Sequence, residues 1–278
     1  MKHFIFISLF CISSAHAVNP GAISSATAGA GRASVEASDS PFLNPATIPY
    51  LKGYFVTSSY NTASKKDSDL TFSITDNMKE TILPTSLGYS QSTIPLSETE
   101  KVKSQDLRVA FGERVGKRFG AGLSIHHKTD QTEINSYTQT NMTVASVFSM
   151  NDRLSVGLVA DDILPNSSDV PEVLRIRTKT AVAMSYNYKK FIRGKLDLVT
   201  AGNNSFAKPT LLGGVETFMN RWLILRVGAG RNTEVSANIF AGGIGFQGPK
   251  FGIHYAYLQS QEDENFSRHT VDLAIPVW

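Results

Sequence analysis

The sequence has a single cysteine, Cys11, and this residue lies in a short apolar stretch near the N-terminus. Lys2 precedes the stretch, and Ala15-His16-Ala17 follows it with the small residues that signal peptidases require. Because the apolar run is too short to span a bilayer, residues 1–17 are predicted to form a secretory signal peptide. The remaining chain has no cysteine, which excludes disulfides and thiol chemistry.

The sequence also lacks long apolar runs and long runs of charge of one sign. After the predicted signal peptide, no stretch approaches the ~18 apolar residues of a membrane helix. The 27 basic and 24 acidic residues are interspersed, so the basic footprint of a nucleic-acid-binding protein is absent. An exported chain of this kind is either a water-soluble protein or a membrane β-barrel.

His126 and His127 are adjacent but point to opposite faces of one strand, and the other histidines are scattered, without the spacing to Asp or to a second His that a metal site requires. We therefore predict neither a metal nor a cofactor. Ser124 and His126 share one strand face, but no residue is placed by the sequence to orient the histidine as a catalytic triad requires. We therefore predict that the protein is not an enzyme.

The body of the sequence alternates between apolar and polar or small residues with a period of two. In residues 106–114, for example, Leu107, Val109 and Phe111 share one face, and Arg108 and Gly112 lie on the other. Such alternation predicts β-strands. The segments number about fourteen, with twelve as an alternative: 53–61, 68–75, 84–91, 106–114, 117–128, 138–150, 153–162, 173–188, 191–202, 209–219, 221–231, 234–246, 250–259 and 268–278.

Three properties favour a membrane barrel over a β-sandwich. Strands of nine to twelve residues match the ~9–11 that a tilted strand needs to cross a bilayer. Glycines such as Gly120 and Gly157 lie on the polar face, where they suit a crowded interior, and Tyr186 and Tyr255 lie on the apolar face near strand ends. The predicted fold class is therefore all-β, a transmembrane antiparallel up-and-down barrel that spans residues 51–278 and is monomeric.

Charged residues on the predicted inner face are the candidate site. Glu216 and Arg226 lie on adjacent strands of one hairpin, close enough to pair. Two interpretations remain open: the charges attract the carboxylate or phosphate of an amphiphilic solute, or they pair with one another inside a filled barrel. The candidate lumen residues are Arg108, Arg118, His126, Arg175, Arg177, Lys179, Glu216 and Arg226.

Two parts of the chain resemble the FadL-like superfamily of outer-membrane proteins. The segment GAGRASVEASDSPFLNPATI is similar to the N-terminal region of that superfamily, in which small residues lead to an Asn-Pro-Ala turn. LLGGVETFMNRWLILRVGAG, FAGGIGF and FGIHYAYL resemble its C-terminal hairpins, especially those of the PorV-like branch. The resemblance covers about residues 21–50 and 205–278, and it implies a fourteen-stranded barrel.

The resemblance also implies a function and a location. Residues 18–50 would form a plug inside the lumen that ends in the turn Asn44, Pro45 and Ala46, with Asn44 capping the turn and Pro45 ending any helix before it. The barrel would lie in the outer membrane of a Gram-negative bacterium, in contact with lipid, and mediate passive uptake of hydrophobic or amphiphilic small molecules. The alternative is a PorV-like barrel that serves as a partner for exported proteins.

Overall fold

A computed structural model describes residues 21–63, 67–95, 100–189, 191–202, 209–233, 237–261 and 266–277. The predicted signal peptide and residues 18–20 of the predicted plug lie outside these ranges. Two short helices, α1 (Ala22–Ser25) and α2 (Ser40–Leu43), and a 3₁₀ helix (Pro45–Tyr50) precede the sheet. Fourteen strands follow: β1 (Gly53–Ala63), β2 (Ser68–Asn77), β3 (Thr85–Pro95), β4 (Lys101–Val115), β5 (Phe119–Gln131), β6 (Ser136–Ser149), β7 (Leu154–Asp161), β8 (Lys179–Tyr188), β9 (Ile192–Ala201), β10 (Thr210–Phe218), β11 (Leu223–Asn232), β12 (Ala237–Gln247), β13 (Gly252–Ser260) and β14 (Ser267–Val277).

Each strand pairs with its neighbours in sequence, and β14 pairs with β1 to close the barrel. All pairings are antiparallel, so the predicted up-and-down barrel of fourteen strands is confirmed and twelve strands are excluded. Most strand boundaries differ from the prediction by at most three residues, and two regions differ by more. The expected loop 92–105 is shorter, because β3 extends to Pro95 and β4 begins at Lys101. The expected strand 173–188 begins only at Lys179.

The period of two places apolar side chains outside and polar side chains inside. On β5, for example, Ile125 is 45% exposed, whereas Ser124 and His126 on the opposite face are buried. The same contrast appears between Leu107 and Arg108 on β4. An apolar outer surface around a polar interior is the arrangement of a barrel that faces lipid.

The connections between strands differ at the two rims of the barrel. At one rim, here called the turn rim, six connections of three to seven residues join β2 to β3, β4 to β5 and so on to β12 and β13. The N-terminal segment enters β1 at this rim, and β14 ends there. At the other rim, the loop rim, the longest connection is residues 162–178 between β7 and β8.

Residues 21–51, here called the N-terminal segment, lie inside the barrel near the turn rim. The 3₁₀ helix packs against β4, β5 and β6, and α1 packs against β12, β13 and β14. Asn44 accepts a hydrogen bond from the Ala46 amide at 2.9 Å, and Pro45 opens the 3₁₀ helix. This is the turn geometry that the sequence predicted for Asn44-Pro45-Ala46.

Glycines on the inner face make room for the N-terminal segment. A Cβ on Gly112 would come within 2.7 Å of the Pro45 carbonyl, and one on Gly120 within 2.7 Å of the Ala46 carbonyl. A Cβ on Gly157 would lie 2.9 Å from the Arg32 carbonyl. A Cβ carbon does not approach another heavy atom this closely, so the backbone of the segment lies directly against the backbone of the wall.

Candidate functional site in the lumen

Three inward-facing or buried aspartates hold the N-terminal segment through its backbone amides. Asp197 on β9 accepts hydrogen bonds from the amides of Gly31 at 3.0 Å and Arg32 at 3.1 Å, and forms an ion pair with the Arg32 guanidinium. Asp272 on β14 accepts from the Ala22 amide at 2.6 Å. Asp39, within the segment, accepts from the amides of Gly21 at 2.8 Å and Ser24 at 3.1 Å. The bonds to Asp197, which is paired with Arg32, are charge-assisted and therefore stronger than neutral ones.

Burial raises the pKa of the Asp39 carboxyl above its ordinary value. The negative charge of Glu36 acts in the same direction, whereas the Ser24 and Gly21 hydrogen bonds and the charge of Lys195 oppose it. Since burial disfavours the ionised form of an acid, docking of the segment makes Asp39 easier to protonate than it is in water.

A second group of charges surrounds Glu216 on β10. Glu216 lies opposite Arg226 in the β10–β11 register, and their nearest atoms are 3.2 Å apart, as the sequence predicted. Lys195 on β9 also forms an ion pair with Glu216, and Arg193 forms one with Glu36 of the N-terminal segment. The charges of the wall therefore pair with one another and with the segment.

A third group lies nearer the loop rim, around His126 on β5. One ring nitrogen of His126 is 3.0 Å from Asp106 on β4, and the other is 2.7 Å from Asp162. Arg108 lies 3.6 Å from Asp106 and donates to the Phe42 carbonyl at 3.3 Å, with its guanidinium 5.7 Å from the centre of the Phe42 ring. The group thus joins the wall both to the N-terminal segment and to the 162–178 connection.

The connection 162–178 folds back over the inner face of β6. The β6 strand pairs with β7 only from Val144 to Ser149. Beyond that point Gln139 donates to the Leu174 carbonyl at 2.9 Å and accepts from the Ile176 amide at 3.1 Å. Val170 and Leu174 pack against Val102 in a small apolar cluster. The connection therefore covers part of the lumen at the loop rim.

The candidate lumen residues from the sequence fall into two sets. Arg108, His126, Glu216 and Arg226 are buried on the inner face, and Lys179 is half-buried as the first residue of β8. These five residues occupy two separate groups, one around His126 and one around Glu216.

Arg118, Arg175 and Arg177 do not face the lumen. Arg118 ends the Gly116–Arg118 turn and is exposed, because Gly116, with φ of +72°, reverses the chain before β5 begins. Arg175 and Arg177 precede β8 and are exposed. Leu174 and Ile176, which the alternation placed on the lipid face, are buried instead. The hydrogen bonds to Gln139 turn residues 174–176 inward. Alternation in the sequence cannot predict such long-range hydrogen bonds.

Asp106, Asp162 and Asp39 are among the residues of the site that are not in the set of candidates from the sequence. Asp106 lies two residues before Arg108, so the alternation itself could have placed it on the inner face. Asp162 lies in a connection with a positive φ of +58°, and no periodic signal identifies it. Asp39 lies in the N-terminal segment, where the sequence has no strand pattern.

In the residues that the structure describes, no group of three or more His, Cys, Asp or Glu side chains could hold a metal ion. No helix there has the length and hydropathy to cross a membrane.

No protein-family model and no curated protein matches this sequence. Solved structures do match its fold. The toluene transporter TodX of P. putida superposes with a TM-score of 0.71 at 10% sequence identity, over 94% of this chain and 99% of that one. The toluene transporter TbuX of Ralstonia pickettii gives 0.70 at 11% identity, over 94% and 98%. The monoaromatic hydrocarbon channel CymD gives 0.69 at 11%, over 94% and 97%.

The chain is thus a closed, fourteen-stranded transmembrane β-barrel, and its fold is that of the FadL-like outer-membrane barrels. A FadL homologue of Pseudomonas aeruginosa has the same fold, with a TM-score of 0.67 at 10% identity. These structural neighbours are named as channels or transporters.

Proposed function

We propose that the protein is a gated outer-membrane channel for passive uptake of hydrophobic or amphiphilic small molecules, with the N-terminal segment as its plug. The observation that carries the proposal is how the segment is held inside the barrel. Side-chain carboxylates hold its amides, with Asp197 bonding Gly31 and Arg32, and β-sheet pairing is confined to the wall. A segment held through side chains can move while the wall stays closed.

The chemistry of the inner face favours amphiphilic solutes. Serine, threonine and paired charges line it, so a solute with one polar end can exchange hydrogen bonds with the wall as it passes. The hydrocarbon solutes in the names of the structural neighbours supply the apolar part of the proposal. The partner role considered from the sequence finds no support in these comparisons and remains a prediction.

A disulfide that locks the segment to the wall tests the proposal. Ser34 of the segment and Ser185 of β8 have their hydroxyl oxygens 3.1 Å apart and are both buried. The variant Ser34→Cys/Ser185→Cys would be placed in liposomes, and uptake of a labelled long-chain fatty acid would be followed. We expect oxidation to reduce uptake to the level of protein-free liposomes, and a reductant to restore it.

A matched control links two strands of the wall without involving the segment. Thr57 on β1 and Ser73 on β2 have their hydroxyl oxygens 2.7 Å apart. We expect oxidised Thr57→Cys/Ser73→Cys to keep the wild-type rate. Equal uptake by the locked and unlocked forms of the first variant would show that the segment is not the gate. If the correctly folded wild-type barrel did not take up the labelled fatty acid, the proposed uptake function would itself be contradicted.

A further inference from the structure

The two rims of the barrel carry opposite charge. Among the described residues of the six connections at the turn rim, seven are basic and two are acidic. Among those of the connections at the loop rim, two are basic and six are acidic. The net charge of the whole sequence does not reveal this separation, because the opposite charges of the two rims largely cancel.

The basic side chains of the turn rim form a ring, here called the basic collar. Every connection at that rim contributes at least one of them, and all are exposed. None of them makes an ion pair with another residue that the structure describes. The members of the collar are Lys79, Lys117, Arg118, Arg153, Lys189, Arg221 and Lys250.

Aromatic rings lie directly beside the collar on the outer surface. Trp222 stacks on Phe246 with ring centres 6.1 Å apart, and Phe246 contacts Phe251 at 5.8 Å. The Arg221 guanidinium lies 4.6 Å from the Trp222 ring, and the Lys189 ammonium lies 5.2 Å from the Tyr188 ring. Aromatic belts mark the level of the lipid headgroups. Cations that touch the belt therefore lie at the depth of the lipid phosphates.

We propose that the basic collar binds the headgroups of anionic phospholipids in the periplasmic leaflet of the outer membrane. The choice of leaflet rests on the outer-membrane location in the proposed function, because short turns face the periplasm in such barrels. Exposed cations without carboxylate partners attract anionic lipid, and a phosphate accepts several charge-assisted hydrogen bonds from Lys and Arg. A ring of such cations holds lipid all round the barrel, which fixes its depth and tilt in the membrane. This interaction is separate from transport, since every collar residue lies outside the lumen.

Lipid retention by the purified full-length chain tests the proposal. The protein would be incubated with equal amounts of phosphatidylglycerol and phosphatidylcholine, and the lipids it retains would be counted by native mass spectrometry. The collar variant carries Lys79→Gln, Lys117→Gln, Arg153→Gln and Lys250→Gln. The control variant removes four exposed cations nearer the loop rim, Lys101→Gln, Lys103→Gln, Arg177→Gln and Arg231→Gln. Folding of each variant is checked by heat-modifiable migration in electrophoresis.

We expect the wild type and the control variant to retain more phosphatidylglycerol than phosphatidylcholine. This preference should decrease as the salt concentration rises. In the collar variant the preference should fall by at least about fivefold, since several attractive charges are lost. An unchanged preference in the folded collar variant, or an equal loss in the control variant, would overturn the proposal.

A second measurement locates the bound lipid and needs no change to the collar. The sequence has two tryptophans, so Trp278→Phe leaves Trp222, beside Arg221, as the single reporter. Its fluorescence would be measured in phosphatidylcholine vesicles that contain a small fraction of brominated phosphatidylglycerol or of brominated phosphatidylcholine. We expect stronger quenching by the brominated phosphatidylglycerol. Equal quenching by the two lipids would show that anionic lipid does not gather at the collar.

Discussion

Buried charge is the main feature of the lumen at the scale of single residues. Asp197, Glu216 and Arg226 are each less than 4% exposed, and an unpaired charge at such a site would be very costly. Asp197 has Arg32 as its partner, and Glu216 has Lys195 and Arg226. Of the two interpretations of the lumen charges, the contacts favour pairing inside the protein over the attraction of a solute.

Asp39 is expected to make docking of the N-terminal segment depend on pH. Burial raises the pKa of this carboxyl, so the docked state binds its proton more tightly than the undocked state. Its contribution to docking is therefore complete below the ordinary pKa of aspartate and is lost as pH rises through the raised pKa. The charged groups that face Asp39 are Glu36, Lys195 and Asp272, and Asp272 binds the neighbouring Ala22 amide.

Trypsin cleavage after Arg32, relative to cleavage after the exposed Arg118 of the same molecule, measures undocking. The ratio should rise as the pH increases above the ordinary pKa of aspartate, and Asp39→Asn, which cannot ionise, should flatten the rise. A ratio that falls with pH, or a rise that persists in Asp39→Asn, would assign the effect to another group.

At the scale of elements, the fit between the N-terminal segment and the wall depends on glycine. The 3₁₀ helix contacts β4 and β5 where Gly112, Gly120 and Gly122 leave room for its backbone. A strand with an alternating pattern does not itself require glycine. The three glycines are therefore explained by the 3₁₀ helix that packs against them.

Gly122→Ala is expected to displace the segment while the barrel stays folded. The new Cβ would overlap the backbone of Pro45 and Ala46, and overpacking of this kind costs about 1–3 kcal/mol. Cleavage after Arg32 relative to Arg118 should therefore rise by roughly fivefold to a hundredfold.

Gly194→Ala is the matched control for this substitution. Nothing lies within 4 Å of a Cβ at Gly194, so cleavage after Arg32 should not change. If both variants behave alike, the close fit at Gly122 does not hold the segment in place.

At the scale of the whole molecule, the wall separates lipid from a polar interior. Val182, in the middle of β8, is 49% exposed on the outer face, between the buried Ala181 and Ala183. Ile82, in the connection between β2 and β3, is 97% exposed at the turn rim. A side chain at position 182 therefore lies in the hydrocarbon of the bilayer, whereas one at position 82 lies outside it.

Val182→Arg should destabilise the folded barrel by about 2–4 kcal/mol, whereas Ile82→Arg should cost about 0–1 kcal/mol. The difference follows from the depth of each site, because an arginine outside the hydrocarbon keeps its water. Reversible urea unfolding in phospholipid vesicles measures both free energies. Equal costs for the two substitutions would mean that β8 does not face lipid.

The sequence predicts the wall well and the lumen less well. Alternation is a local property, and residues 106–114 and 250–259 follow it closely enough to fix the strand and its inner face. Strand ends depend on turns. The alternation therefore includes Arg118 in a strand, whereas the structure has it in the Gly116–Arg118 turn. Leu174 and Ile176 look like lipid-facing residues in sequence, but Gln139, far away in the chain, binds their backbone. Contacts of this kind are not encoded in local periodicity.

The hydrogen bond between the Ala22 amide and Asp272 joins residues 250 positions apart. In a chain made from its N-terminus, Ala22 is available early, whereas Asp272 in the closing strand is available last. This contact therefore forms only after nearly the whole chain has been made, and it joins the N-terminal segment to the strand that closes the barrel.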